Sequence, residues 1–171
     1  MLKNKKKIFI LMGPKGSGKS YIGRLIQRRL GIKFILIEKI FKRIQRERAV
    51  LNKSFLKEGY ALVGQKINKT LENTDALVFE STGAFPFFKT LLSRLTRHRN
   101  VKLIYLDVPF GICLKRIKAR SQRNHLAMSA ETIRNVYQKN KKLKYKYDLY
   151  IKNYNLTDKE IIELFKNLLV T

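Results

Sequence analysis

The sequence predicts an α/β fold in three layers, with helices covering both faces of a parallel sheet. Two observations carry this. Short apolar runs alternate with stretches of helical periodicity along all 171 residues, the pattern of strands joined by crossover helices. In addition, Gly13-Pro14-Lys15-Gly16-Ser17-Gly18-Lys19-Ser20 fits G-x-x-x-x-G-K-[ST] at every fixed position, the loop that cradles phosphates between a strand and a helix. With 44% apolar residues the chain can bury one full core, and residues 1–171 read as a single domain.

Taken in order, residues 8–12 form the first strand. This run follows a Lys-rich start but is too short for a signal peptide, which needs roughly 7 to 15 apolar residues, or for a membrane span, which needs about 18. Gly13, Gly16 and Gly18 then keep side chains out of a loop whose backbone N–H groups face a phosphate chain, with Lys15 and Ser17 completing the cradle. Lys19 is placed to reach the β- and γ-phosphates of a nucleoside triphosphate, and the Ser20 hydroxyl to hold the Mg2+ that travels with it. Residues 21–30 are an amphipathic helix, with Ile22, Leu25, Ile26 and Leu30 on one face and Gly31 closing it.

Residues 34–37 form the second strand, which ends at Glu38. Helical spacing marks residues 39–52 and 60–73 as two helices, joined near 54–59. Residues 76–79 form the third strand, which ends in Glu80-Ser81-Thr82-Gly83. Carboxylates at the C-terminal ends of strands lie where ligands bind in open α/β sheets, so Glu38 and Glu80 are candidate catalytic acids, Glu80 also a candidate metal ligand. A helix over 86–97 and a fourth strand over 101–106 follow. Asp107, before Val108-Pro109, is read as a helix cap and left out of the site. The next helix carries Cys113, Arg116 and Arg120; the two arginines share a face, and Arg123 lies just beyond. Residues 121–129 are polar and without period, a loop. Ser129 caps a further helix, 148–151 form the fifth strand, and Thr157-Asp158-Lys159-Glu160 is a capping box opening the last helix.

Charge is the second feature: 38 Lys and Arg against 12 Asp and Glu give a net +26. A field of that size attracts polyanions, so nucleic acid is one possible partner, although the basic residues are spread evenly and solvated helix faces would give the same count. One cysteine and two histidines leave no His/Cys metal site and no internal disulfide, which fits a cytoplasmic protein without a membrane segment.

A P-loop, five strands, two acidic strand ends and an arginine-bearing loop before the last strand resemble the small P-loop kinases, the nucleoside monophosphate kinase and shikimate kinase group. The resemblance implies a P-loop NTPase sheet ordered 2-3-1-4-5 with a short lid over about 116–129, in which Arg120 and Arg123 close on the phosphates and Arg120 also contacts the nucleotide. It places Asn153 beside the adenine, Glu80 nearer Ser20 and the magnesium, and Glu38 toward the acceptor. It also shows departures: Leu36 replaces the first acid of the Asp-x-Asp that shikimate kinases carry after strand two, Glu80-Ser81-Thr82-Gly83 has one glycine where they have three, and their Phe-Arg-x-x-Glu is not found between Ser54 and Asn73. The activity implied is transfer of the γ-phosphoryl group of ATP to a nucleotide or small hydroxylated metabolite. A nucleic-acid 5′-end kinase, or a nucleotide-driven switch without an acceptor, are the alternatives.

Overall fold

In the computed structural model, residues 6–47, 52–119 and 129–170 are described. The organising strand is β1 (Lys7–Met12), flanked in a parallel five-stranded sheet ordered β2-β3-β1-β4-β5. The other strands are β2 (Lys33–Ile35), β3 (Ala76–Ser81), β4 (Asn100–Leu106) and β5 (Leu149–Ile151). Because strand side chains alternate faces, β1 feeds two cores at once. Ile8, Ile10 and Met12 join one cluster, and Phe9 and Leu11 join the other.

The first cluster is closed by α2 (Ile37–Glu47), α3 (Lys53–Glu72) and α4 (Pro86–His98), through Phe41, Phe55, Tyr60, Val63, Ile67, Phe88 and Leu91. The second is closed by α1 (Lys19–Leu30) and α7 (Asp158–Val170), through Ile22, Leu25, Ile26, Ile161 and Phe165. Each fully buried side chain of this size contributes roughly 1.5–3 kcal/mol. The remaining helices, α5 (Phe110–Ala119) and α6 (Ala130–Lys141), lie in the chain between β4 and β5. Ser129 caps α6, its Oγ accepting the Thr132 N–H at 3.1 Å, and Glu160 and Thr157 form the reciprocal capping bonds at the start of α7.

Three expectations are corrected. The second strand ends at Ile35, and α2 begins at Ile37, so Glu38 sits in the first turn of a helix rather than at a strand end. The turn is made where Lys39 N–H donates to the Leu36 carbonyl at 3.2 Å; Ile37, Phe41 and Ile44 then bury one helical face, and an acid in the first turn suits the helix dipole. The joint expected near 54–59 is the first turns of α3, capped by Asn52, whose side chain accepts the Phe55 N–H at 2.9 Å. Gly59 does not break that helix. A Cβ there would lie 2.1 Å from the Phe41 ring, so glycine is the residue that lets α2 and α3 pack this closely. Finally, Asp107 does not cap α5; its carboxylate takes Lys141 of α6 at 2.6 Å.

Candidate active site

The loop between β1 and α1 is held by backbone geometry before any side chain acts. Gly16 has φ +85°, and a Cβ on it would lie 2.4 Å from the Cys113 carbonyl oxygen, so the loop rests directly on α5. Gly18, at φ 93°, is the N-cap of α1 and offers no side chain to the helix, whose first turn carries no acid. The positive end of the α1 dipole is thus left to an anion. Lys19 is only 9% exposed, and its Nζ donates to the Gly13 and Pro14 carbonyls at 2.9 and 2.8 Å. Its ammonium is therefore fixed over the loop. Ser17 Oγ is buried without a hydrogen-bond partner among the described residues.

Two carboxylates converge on this loop by different routes. The β1–β3 register sets Glu80 opposite Leu11, immediately before the loop, and Glu80 Oε2 accepts the Ser20 hydroxyl at 2.8 Å. Burial pushes its carboxyl above the usual glutamate range, an effect offset in part by Lys19 and the Ser20 bond and reinforced by the charge of Glu38. Glu38 arrives from α2 and faces Lys15 of the loop across 3.6 Å. Both acids line one cavity of about 520 Å³ together with Lys15, Lys19, Ser20 and Arg116.

On the other side of the loop, Asn153 is buried and donates from Nδ2 to the Ser17 carbonyl at 2.8 Å, while its own carbonyl accepts Arg116 Nη2 at 2.7 Å. Asn153 thus ties the segment after β5 to the P-loop, and Arg116 Nη1 is buried with no partner among the described residues. Arg116 itself belongs to α5. Of the lid expected over about 116–129, residues 120–128, Arg120 and Arg123 among them, lie outside the described residues.

Several residues of the cavity escaped sequence reasoning. Arg24 lines it and its charge acts on Glu80; its position four after Ser20, on the same face of α1, was the available signal. Tyr60, Thr82 and Phe85 also line it. Thr82 is anchored from α6, where Asn140 Nδ2 donates to the Thr82 carbonyl at 2.5 Å while Asn140 Oδ1 accepts the Tyr105 hydroxyl at 2.8 Å. No local pattern announces a contact between residues 58 apart.

Comparison with known proteins decides the family: the family model described as shikimate kinase matches residues 15–169. The chain belongs to the shikimate kinase family. Within it, a shikimate kinase of Sulfurihydrogenibium sp. (strain YO3AOP1) is 25% identical over 156 residues, covering 90% of this chain and 92% of that protein. That of Aquifex aeolicus (strain VF5) is 24% identical over 161 residues, 92% and 94% of the two chains. Among solved structures, a sugar kinase of Janibacter sp. HTCC2649 shares the fold with a TM-score of 0.69 at 14% identity, over 96% of this chain and 94% of that one. As a member of the shikimate kinase family the protein is an ATP-dependent kinase that phosphorylates a small hydroxylated metabolite. No helix among the described residues is long and apolar enough to cross a membrane.

Proposed function

We propose that Lys19, Ser20, Glu80 and Glu38 carry this phosphoryl transfer, and that the observation supporting their roles is the 2.8 Å contact of Ser20 with Glu80 beside the P-loop. Whether the residues suit magnesium can be asked of the donors themselves. No cluster of three or more His, Cys, Asp or Glu able to hold a metal occurs among the described residues, so a metal would have to arrive with the nucleotide. The Ser20 hydroxyl and a buried carboxylate are the hard oxygens that Mg2+ takes, directly or through water. When bound, magnesium neutralises charge on the triphosphate oxygens. The fit is good.

Lys19 stabilises the charge that develops on the β- and γ-phosphate oxygens, and the α1 N-terminus with the loop N–H groups holds the phosphates in place. Glu38, held beside the loop by Lys15, takes the proton of the acceptor hydroxyl. That oxygen forms the new bond to the γ-phosphorus, the bond to the β-phosphate oxygen breaks, and ADP leaves with the electron pair. Alignment supplies most of the acceleration; the proton transfer adds roughly 10²–10⁴-fold. Asn153 and Arg116 support the nucleotide end of the loop. Nucleic acid as acceptor has only the +26 charge behind it.

ADP formation by the purified chain, followed with small hydroxylated acceptors and ATP-Mg2+, tests the reading. Glu38→Gln is expected to lower kcat by roughly 10²-fold while the KM for ATP stays within a factor of two or so. An unchanged kcat and acceptor KM would remove Glu38 from the chemistry.

A further inference from the structure

We propose that residues 142–152 form a surface for single-stranded nucleic acid, as a ligand rather than as phosphoryl acceptor, on which Tyr150 stacks a base while Lys142, Lys144, Lys146 and Lys152 meet the phosphates. Along this segment burial alternates at every residue. Leu143, Tyr145, Tyr147, Leu149 and Ile151 are buried or half-buried, whereas Lys142, Lys144, Lys146, Asp148, Tyr150 and Lys152 are exposed. That is the period of extended chain, which sends alternate side chains to opposite sides. The inward residues hold the segment down. Tyr145 lies 6.0 Å from Phe88 and donates its hydroxyl to the Gly83 carbonyl at 3.4 Å. Tyr147 lies 4.9 Å from Tyr105, whose own hydroxyl donates to Asn140 at 2.8 Å. The outward lysines therefore rise from a fixed backbone, which lowers the ordering cost of binding.

Two acids of this region are answered by cations outside the row. Asp148 faces Lys102 of β4 at 3.6 Å and accepts the Leu103 N–H at 2.8 Å, and Asp107 holds Lys141 at 2.6 Å. Lys142, Lys144, Lys146 and Lys152 form no ion pair among the described residues. In a chain of net charge +26 this leaves a row of one sign, to which a polyanion is drawn. The ring in the row narrows the choice. Tyr150 is 61% exposed, and because β5 is the edge strand no further strand covers it. It is nevertheless propped by the rings of Tyr147 at 5.3 Å and Tyr105 at 5.9 Å, inclined by 74° and 62°. A propped, open ring is a platform for unpaired bases. Bases inside a duplex cannot reach it, and an acidic peptide would use the lysines and leave the ring idle. A membrane surface would take up aliphatic side chains, and the outward row has none.

Fluorescence anisotropy of a labelled oligothymidylate of about 12 nucleotides, within the ~4–16 nucleotide reach of such surfaces, provides the test. The full chain is used with a saturating non-hydrolysable ATP analogue and Mg2+, so that the P-loop is filled. The single strand is expected to bind about fivefold tighter or more than a duplex of equal length. Tyr150→Ala should weaken it by roughly fivefold or more, and Tyr150→Phe, which keeps the ring, by less than about twofold. Replacing Lys144 and Lys146 together by Ala should flatten the fall of log affinity with log salt by about 1.4, two phosphates at ~0.7 each. Every variant should keep its affinity for the ATP analogue within about twofold, since the substituted side chains are exposed. A Tyr150→Ala protein that binds like the wild type, or a duplex bound as tightly as the single strand, overturns the inference. So does an unchanged salt slope in the double variant, which would assign binding to the charge of the chain at large. Weakening of oligonucleotide binding by the ATP analogue would place the strand in the P-loop and overturn it too. Tyr150-dependent binding to phosphatidylserine vesicles, with none to the oligonucleotide, would make the surface a membrane contact and likewise overturn it.

Discussion

Lys19 has two roles that a single substitution separates. Its ammonium is the charge we propose for the phosphates, and it also bridges the Gly13 and Pro14 carbonyls from a nearly buried position. Lys19→Ala is therefore expected to lower turnover by roughly 10²–10³-fold, the scale of losing one preorganised donor, and to cost about 1–3 kcal/mol of stability. For a chain of this size that is a fall in Tm of several degrees. A circular-dichroism melt beside an ADP assay checks both; normal turnover would exclude the P-loop role. Glu80 is the second residue whose environment predicts its response. Its buried carboxyl is held above the ordinary range and bonded to Ser20, so Glu80→Gln removes a charge that burial already disfavours. The protein should lose little stability while the Mg2+ concentration for half-maximal turnover rises by roughly tenfold. A magnesium titration that superimposes on the wild type would contradict the proposed metal role.

Gly59 decides a question at the scale of the element. In an exposed helix, replacing glycine with alanine stabilises by about 1 kcal/mol. Here the added methyl would lie 2.1 Å from the Phe41 ring, which Phe55 and Tyr60 hold in place, so the ring cannot swing away. Gly59→Ala is expected to destabilise by about 1–3 kcal/mol, as overpacking does, and to disturb acceptor binding because Phe41 lines the cavity. Denaturant unfolding reads the sign. A gain in stability would show that α2 and α3 can separate. The same pair of helices shows where the sequence was legible. Apolar spacing revealed that α2 and α3 exist and which faces they bury, while their junction, expected near 54–59, falls in the first turns of α3. The function of Gly59 is steric, and only the distance to Phe41 shows it.

Across the whole molecule, tyrosines tie β4, β5 and the segment before β5 together. Tyr105 lies 4.9 Å from Tyr147, which is 5.3 Å from Tyr150 and 6.1 Å from Tyr145, and burial raises the phenols of Tyr60, Tyr105 and Tyr147. Tyr60 is pushed up to about 12. Below pH 10 its phenol is protonated in both folded and unfolded chains and favours neither. Between about pH 10 and pH 12 the unfolded chain ionises while the folded one does not, so stability is lost as pH rises through that window. At about 1.4 kcal/mol per unit, the wild type should lose roughly 2–3 kcal/mol more than Tyr60→Phe over those two units. Denaturant melts at pH 9, 10, 11 and 12 measure it, and parallel losses in the two proteins would show that Tyr60 titrates normally.

By itself the sequence determined the phosphate loop, the alternation of strands and helices, the buried faces and the capping of α6 and α7, because each depends on residues within a few positions of one another. Gly16, Lys19 and Ser20 carry their chemistry in a contiguous motif, and Thr157 to Glu160 close a local pair of bonds. Only the tertiary structure decided the relations between distant segments. The pairing of Leu11 with Glu80 puts a carboxylate on Ser20, and the early start of α2 swings Glu38 to Lys15. Asn153 braces the P-loop through the carbonyl of Ser17, a contact between residues 136 apart. The aromatic wall of the cavity likewise draws Phe41, Phe55, Tyr60 and Phe85 from three segments. Periodicity marks such residues as core; whether a core face closes on a neighbour or opens on a ligand depends on the register and approach of elements far apart in the chain.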